Sequence, residues 1–205
     1  MARVRCMAGV VDGLESAARE AIEGVILSVS FGRDWRYGES WSEVSTLVSE
    51  VMEKLEPEGF VGGSYSPGQD AWFCLSEQRH SDENQVADNF LRVAVNRSTG
   101  YGGLVWGVTE SSPRRGNIYD SVWVSNNPEP PDFDPRVVSD PGVPLFHDPC
   151  STLPITQVRA AVEEFCRTGT GGRPARIGWV SGHVNGRRLD KESVVELVQN
   201  DNPFG

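Results

Sequence analysis

The residues with the greatest capacity for chemistry are three histidines, four cysteines and a glycine-rich segment. The nearest approach to a catalytic motif is His147-Asp148-Pro149-Cys150, since zinc deaminases combine H-x-E with a later P-C-x-x-C. Here the acidic residue directly follows the histidine, and no second cysteine lies three residues after Cys150. One histidine and one cysteine cannot complete a tetrahedral zinc shell. We therefore expect no metal site and predict that residues 147–150 form a surface loop.

The other motifs also indicate structure more than catalysis. Residues 168–173, Thr-Gly-Thr-Gly-Gly-Arg, follow a predicted helix and lack the G-K-S/T ending of a phosphate-binding loop. No C-x-x-C, G-x-S-x-G, H-E-x-x-H or G-x-G-x-x-G motif occurs in the chain. Cys74 and Cys166 lie in apolar patterns and are predicted to be buried thiols in a reducing compartment. We expect no catalytic residue and no cofactor, although the many carboxylates leave a glycosidase-like pair open.

Tryptophan is the most distinctive residue type, with six in the chain. Trp35 and Trp41 flank a predicted polar loop at residues 36–40, so we expect them to be exposed aromatic anchors. The remaining four lie inside predicted strands, where packing in the core is favoured over ligand stacking. These four are Trp72, Trp106, Trp123 and Trp179.

The charge balance indicates the kind of partner that the protein binds. The 205 residues contain 19 Lys plus Arg against 29 Asp plus Glu, which gives a formal net charge of −10. Residues 33–91 carry −8, whereas residues 159–191 carry +4. Because no large basic field is present, we expect no direct binding to nucleic acid, and the acidic field suits a basic partner. The alternative is that the surplus carboxylates only keep the protein soluble.

Hydropathy predicts a protein without a membrane segment. No apolar run approaches the roughly 18 residues that a helix needs to cross a bilayer. The apolar stretch at residues 6–11 is too short for a signal peptide and has no small-residue cleavage site after it. We therefore expect a cytoplasmic protein that does not associate with membranes.

Hydrophobic periodicity predicts two main amphipathic helices. The first covers residues 44–55, where apolar residues recur at helical spacing after a capping-box pattern at 40–43. The second starts after Pro154 and covers residues 155–166, with Gly169 following its last turn. Shorter helices are predicted at residues 12–23 and at about 191–199.

Short β-prone runs separated by turn residues occupy much of the remaining chain. Their tight connections indicate an antiparallel meander, whereas residues 126–154 hold eight of the 13 prolines and predict an irregular surface crossing. The elements together predict an α+β fold, in which a single mostly antiparallel sheet of about five to seven strands carries both main helices on one face. The predicted strands are 25–31, 60–65, 71–75, 90–96, 103–108, 118–124 and 175–180, with 183–189 extending or pairing with the last.

A series of short motifs in the second half of the chain resembles a known protein family. The motifs are Gly103-Leu-Val-Trp106, Asp120-Ser-Val-Trp123-Val-Ser125, Leu153-Pro154-Ile155 at the start of the second helix, Thr168-Gly169, and Arg173-Pro174 leading to Ile177-Gly178-Trp179. In this combination, residues 25–181 resemble the first-numbered Imm family of bacterial immunity proteins. Members of that family are commonly encoded beside polymorphic toxins of the nucleic-acid deaminase class. The insertion Thr170-Gly171-Gly172 lengthens the usual step between Thr-Gly and Arg-Pro.

The resemblance implies an immunity-protein domain at 25–181, with an N-terminal extension at 1–24 and a C-terminal extension at 182–205. It implies that the protein binds and neutralises a cognate toxin, which is expected to be basic and deaminase-like. The immunity protein itself is not expected to catalyse a reaction. An acidic inhibitor can cover the basic substrate groove of such a toxin, because its carboxylates compete for the Arg and Lys that otherwise hold phosphates.

We predict that partner contacts come from the acidic loops and their aromatic neighbours. These contacts are Trp35, Tyr37, Glu39, Asp70, Glu77, Asp82, Glu83, Asp132, Asp134 and Asp140. Structural roles are predicted for the family-pattern residues Trp106, Trp123, Arg173, Pro174 and Trp179. Two alternatives stay open, namely a small enzyme with an unrecognised carboxylate pair and an acidic interaction module with a partner other than a toxin.

Overall fold

The computed structural model describes residues 24–32, 34–83, 87–113 and 121–191. The predicted helix at 12–23, residues 118–120 of a predicted strand and residues 192–199 of the predicted terminal helix lie outside the described residues. The described chain forms β1 Ile26–Phe31, β2 Asp34–Gly38, α1 Trp41–Lys54, β3 Gly59–Val61, β4 Ser64–Ser66, β5 Ala71–Ser76, β6 Asn89–Asn96, β7 Tyr101–Val108, β8 Ser121–Asn126, β9 Val138–Asp140, β10 Leu145–Phe146, β11 Thr152–Pro154, α2 Ile155–Thr168 and β12 Gly178–Gly182.

Seven strands follow one another across the main sheet in the order β12-β8-β7-β6-β5-β1-β2, and neighbouring strands are antiparallel. β11 adds an eighth strand by pairing with the first residues of β7, while β8 pairs with its last residues. The pairs β3–β4 and β9–β10 form small separate sheets. The α+β class and the antiparallel meander from β5 to β8 are therefore confirmed.

The ends of both helices follow from the sequence signals that predict them. At the start of α1, the Glu43 backbone N–H donates to Ser40 Oγ at 3.3 Å, and the Ser40 N–H donates to Glu43 Oε2 at 3.1 Å. This reciprocal pair is a capping box. α2 starts after Pro154 and ends at Gly169, whose φ of 63° is left-handed and suits glycine best.

Both helices pack on the same face of the main sheet, as predicted. Strand alternation directs Leu27 and Val29 of β1 towards the helices, while Ser28 lies on the other face. One continuous core joins the sheet to α1 and α2. Its buried members include Phe73, Leu91, Val93, Leu104 and Trp106 from the strands, Val44, Leu47, Val48 and Val51 from α1, and Val158, Val162 and Phe165 from α2.

The prediction of a polar loop at residues 36–40 was wrong for its first half. Residues 34–38 form β2, which pairs with β1 along five residues and lies at the edge of the main sheet. Alternation places Trp35 and Tyr37 on the helix-free face, whereas Arg36 lies on the helix side and contacts Glu50 of α1 at 2.8 Å. Polar residues are tolerated in this edge strand because their side chains are exposed or only half-buried.

Three other predictions of secondary structure needed correction. Residues 60–65 form the hairpin β3–β4 instead of one strand, because Gly62 and Gly63 adopt positive φ angles of 58° and 85°. The crossing at 126–154 is less irregular than predicted, since it contains β9, β10, β11 and a short 3₁₀ turn. The last strand starts at Gly178 and not at 175, because the Ala175 N–H donates to the Glu164 carboxylate at 2.8 Å.

The prediction that residues 147–150 form a surface loop was wrong for the histidine. His147 is only 4% exposed. Its ring packs on Gly103 of β7, where an added Cβ would come within 2.4 Å of the imidazole. The side chain fits because β7 has no side chain at that position.

Candidate functional site

The helix-free face of the main sheet is divided into a covered half and an open half. Over β6, Asn96 Nδ2 donates to the Pro135 carbonyl at 2.9 Å, and Arg92 Nη2 donates to the Ser139 carbonyl. These bonds hold the proline-rich crossing against the sheet. Over β1 and β5, the described residues leave a groove of about 420 Å³. We call it the open-face groove, and it is lined by Ser30, Trp35, Trp72, Cys74, Asp82, Ala87 and Phe90.

Strand alternation and close aromatic packing build the floor of the open-face groove. Trp72 and Cys74 leave β5 on the face opposite to Phe73, which is buried in the core. Phe90 of β6 packs against Trp72, with the ring centroids 4.8 Å apart. Gly107 lies opposite Phe90 on β7, and an added Cβ there would come within 2.4 Å of the phenyl ring. The two aromatic rings are therefore held in place by the strands beneath them.

One wall of the groove is formed by β2 and by the loop at residues 77–83. Trp35 Nε1 donates to Asp82 Oδ1 at 2.8 Å. The loop is fixed to the sheet at His80, whose carbonyl accepts a hydrogen bond of 2.7 Å from the Tyr37 hydroxyl. These bonds position the exposed carboxylate of Asp82 at the mouth of the groove.

Asp70 lies beside the groove and is engaged within the protein. Trp72 Nε1 donates to Asp70 Oδ2 at 3.1 Å, and Arg92 Cζ lies 5.1 Å from the centroid of the Trp72 ring. Arg92 Nε is 3.7 Å from the same carboxylate oxygen. Burial raises the pKa of Asp70, an effect that the charge of Arg92 opposes, and burial lowers the pKa of Arg92. The structure thus places Asp70 as the internal counterion of a buried arginine.

Three more of the predicted contact residues carry carboxylates on the segments that follow β2 and β5. Glu77 and Glu83 are exposed on the 77–83 loop. Glu39 follows β2 and accepts from Arg79 Nη2 at 2.7 Å, and the Arg79 guanidinium lies over Tyr37 at 4.9 Å. Of the predicted contact residues, Trp35 and Asp82 line the open-face groove. Others lie on β2 or on the segments that follow β2 and β5, namely Tyr37, Glu39, Glu77 and Glu83.

The other three predicted contact residues lie on the proline-rich crossing. Asp132 and Asp134 are exposed, and Asp134 Oδ1 accepts from the Arg136 backbone N–H at 2.9 Å. Asp140 Oδ1 accepts from the Gly142 N–H at 3.0 Å, which stabilises the turn between β9 and β10. None of the three lines the open-face groove.

The family-pattern tryptophans lie on the helix side of the sheet and hold residues 171–174 against it. Trp106 and Trp179 donate through Nε1 to the carbonyls at positions 171 and 174, at 3.0 and 2.8 Å. Arg173 lies over the ring of Trp123, with Cζ 4.0 Å from the ring centroid. Trp106 is fully buried in the core, and Trp123 and Trp179 are partly buried and pack against the core. All of these contacts are made within the protein, on the face of the sheet that carries the helices.

Two residues of the groove floor, Trp72 and Phe90, were not predicted from the sequence, and one predicted anchor, Trp41, lies elsewhere. Trp72 was predicted to pack in the core, because the continuous apolar run at 71–75 does not show which face each residue takes. Phe90 was not singled out at all. Trp41 packs against the core with Arg167 over its ring at 4.3 Å, so it is not an exposed anchor. The alternation of serines with aliphatic residues in β1 is the signal that identifies the helix-free face.

The floor of the open-face groove contains one thiol, that of Cys74. Burial raises the pKa of the Cys74 thiol to about 12, so the thiol in the groove floor stays protonated at neutral pH. Among the described residues, no group of three or more His, Cys, Asp or Glu side chains is arranged to hold a metal ion. No helix in this part of the chain is both long enough and apolar enough to span a membrane.

The fold and the groove are those of a small α+β protein whose most distinctive surface is suited to contact with another molecule. The family model described as immunity protein Imm1 matches residues 32–181, which is 150 of the 205 residues. The chain therefore belongs to the Imm1 family of immunity proteins, and a cognate toxin is the partner that this family implies. Comparisons with curated proteins and with solved structures find no match.

Proposed function

We propose that this protein is a cytoplasmic immunity protein that neutralises a nucleic-acid deaminase toxin by covering the basic substrate groove of the toxin. The observation that carries the proposal is the match of residues 32–181 to the immunity family, together with the Asp82 carboxylate in the lining of the open-face groove. The protein acts by binding and does not catalyse a reaction.

The charge distribution supports a basic partner for this surface. A toxin that deaminates bases in single-stranded nucleic acid needs a basic groove with aromatic stacking positions. The exposed carboxylates of Glu77, Asp82 and Glu83 lie on one loop, and Asp82 lines the open-face groove. They compete with substrate phosphates for the same Arg and Lys side chains, and their field steers the encounter.

The aromatic residues supply the buried contacts that charge alone does not provide. Each exposed ion pair contributes only about 0–1 kcal/mol, because water and salt screen it. Tight complexes depend on a few aromatic or arginine anchors that become fully desolvated. Trp35, Trp72 and Phe90 line the groove and are available for this role.

The enzymatic alternative requires two buried carboxylates in one pocket, and no described pair meets that requirement. Among the described residues, Asp70 is the carboxyl group whose pKa is raised, by burial. Its ion-pair partner is Arg92, at 3.7 Å, and the charge of Asp140 makes only a smaller contribution to the raised pKa. This arrangement is typical of a structural ion pair.

Co-expression with the toxin gene adjacent on the chromosome tests the proposal. We expect rescue of growth and a complex with a Kd of about 1 nM or tighter, whose association rate falls as salt is raised. A toxin that binds but proves not to be a deaminase would remove that part of the proposal. Failure of co-expression to rescue growth would contradict the immunity function itself.

A matched pair of double variants tests the proposed surface. Glu77→Gln with Glu83→Gln removes two carboxylates from the 77–83 loop, and Glu53→Gln with Glu56→Gln removes two exposed carboxylates from α1 and the residues after it. We expect the loop variant to slow association by about threefold or more at low salt, and the helix-side control to leave it nearly unchanged. Equal effects of the two variants would place the interface elsewhere.

A further inference from the structure

Two tryptophans on the helix-free face, Trp72 and Trp35, each donate a hydrogen bond to an aspartate. They differ in that an arginine lies over the ring of Trp72 only, among the described residues. Trp72 Nε1 bonds Asp70, and the guanidinium of Arg92 lies over the Trp72 ring and beside the Asp70 carboxylate. This arrangement therefore has an indole, a carboxylate and an arginine. Burial of Arg92, which is 5% exposed, makes it a permanent part of the fold.

The second arrangement has the first two components only. Trp35 Nε1 bonds Asp82 Oδ1 at 2.8 Å. No cation lies over the Trp35 ring and no cation contacts Asp82 among the residues that the structure describes. Asp82 Oδ2 makes no hydrogen bond within the same part of the chain. The carboxylate is exposed at the mouth of the open-face groove, so an incoming group can reach it.

We propose that the open-face groove is a receptor for an arginine side chain of the toxin, which stacks on Trp35 and pairs with Asp82. The inference rests on the proposed function and specifies the chemistry of its main contact. The incoming arginine completes the Trp35–Asp82 pair in the way that Arg92 completes the Trp72–Asp70 pair.

Arginine fits this groove better than lysine for geometric reasons. A guanidinium is planar, stacks on an indole ring and donates two parallel hydrogen bonds, whereas an ammonium acts as a compact and strongly hydrated point charge. Asp82 is held in place by the Trp35 hydrogen bond, so less side-chain entropy is lost when a partner binds. Phe90 and Trp72 supply an apolar surface for the aliphatic part of the arginine.

The size of the groove indicates that the arginine comes from a loop of the toxin. A volume of about 420 Å³ exceeds that of one side chain, so residues on either side of the arginine also enter. Its lining combines the Asp82 carboxylate with the aromatic rings of Trp35, Trp72 and Phe90. A basic loop that projects from the toxin surface fits both its shape and its charge.

A small probe tests the receptor without the toxin. We would titrate ¹⁵N-labelled full-length protein with N-acetyl-arginine amide and follow the Trp35 indole N–H signal by NMR, with Trp35→Phe to assign it. We expect a saturable shift with a Kd in the range of about 1–50 mM. N-acetyl-citrulline amide, which has the same shape without the charge, should give a shift at least fivefold smaller.

Two neighbouring charge variants make the probe experiment specific. Asp82→Asn should abolish the arginine-dependent shift, whereas Glu83→Gln, which removes a charge one residue away, should retain it. Equal shifts with citrulline, a shift that persists in Asp82→Asn, or no saturable shift below about 50 mM would overturn the inference.

The toxin itself gives a second readout that separates this inference from the proposed function. In complexes with the toxin encoded by the adjacent gene, Asp82→Asn should weaken binding about tenfold or more, mainly through faster dissociation. Glu83→Gln should weaken it about threefold or less, through slower association. If the wild-type protein binds the toxin but Asp82→Asn binds equally well, the receptor is wrong and the immunity function stands. If the wild type does not bind the toxin, the proposed function fails.

Discussion

The buried imidazole of His147 makes the stability of this protein sensitive to mild acid. The ring is nearly inaccessible, and its Nδ1 has no hydrogen-bond partner among the described residues. Burial, and to a lesser extent the charge of Arg92, lowers the pKa of His147 to about 3. In the unfolded chain the pKa of a histidine is about 6.5. Between these two values the unfolded state binds one more proton than the folded state, so lowering the pH favours unfolding.

The size of the effect follows from the difference between the two pKa values. Each pH unit below 6.5 lowers the free energy of unfolding by about 1.4 kcal/mol, until the folded state is itself protonated near pH 3. At pH 5.0 the accumulated loss is about 2 kcal/mol. The carboxylates of Glu58 and Asp148 have lowered pKa values, so they lose their stabilising contributions mostly below this window.

Urea denaturation at pH 7.5 and pH 5.0 measures the effect. Replacing the ionisable ring by His147→Gln should cost stability at pH 7.5, because packing is lost. Between pH 7.5 and pH 5.0, the free energy of unfolding should fall by about 2 kcal/mol less in this variant than in the wild type. His183→Gln, which removes an exposed histidine, should behave as the wild type does. If the wild type and His147→Gln show the same pH dependence, the buried neutral imidazole is not the cause.

Three further predictions concern stability and are checked by urea denaturation with circular dichroism. Gly103→Ala should destabilise the protein by about 1–3 kcal/mol, because the new Cβ would overlap the buried ring of His147. The control Gly59→Ala, which has open space around the new Cβ, should change stability by less than about 1 kcal/mol. Trp106→Phe should cost about 1–3 kcal/mol, because the carbonyl at position 171 loses its donor, and an unchanged midpoint would contradict this. Ser40→Ala should cost about 1 kcal/mol through loss of the α1 cap, and no loss would show that the capping box is not stabilising.

The elements that could be predicted from the sequence are those whose local signals agree with their packing. α1 has its capping box and its apolar face in register, and α2 has Pro154 and Gly169 at its two ends. β2 could not be found in this way, because its polar residues match a loop and its strand character comes from pairing with β1. The start of β12 was missed for a related reason, since a carboxylate from α2 holds the residues before it.

The candidate site was predicted in part, because charge can be counted in a sequence while the face of a buried strand cannot. Trp35, Asp82 and the acidic loop around them were identified from composition and polarity. The contribution of Trp72 could not be identified in this way, because an apolar run gives no information on which side of the sheet each residue lies. The position of Asp70 depends on Arg92, whose pairing arises only when β5 and β6 are adjacent.

The alternation of β1 and β5 has a consequence for how such a protein changes over evolutionary time. Val29 and Phe73 face the helices, while the residues next to them in the chain, Ser30 and Trp72, line the open-face groove. Exchange of an outward residue alters what the groove presents and leaves the inward contacts intact. Single substitutions at every second position can therefore change the chemistry of the groove while the core that supports the fold stays the same.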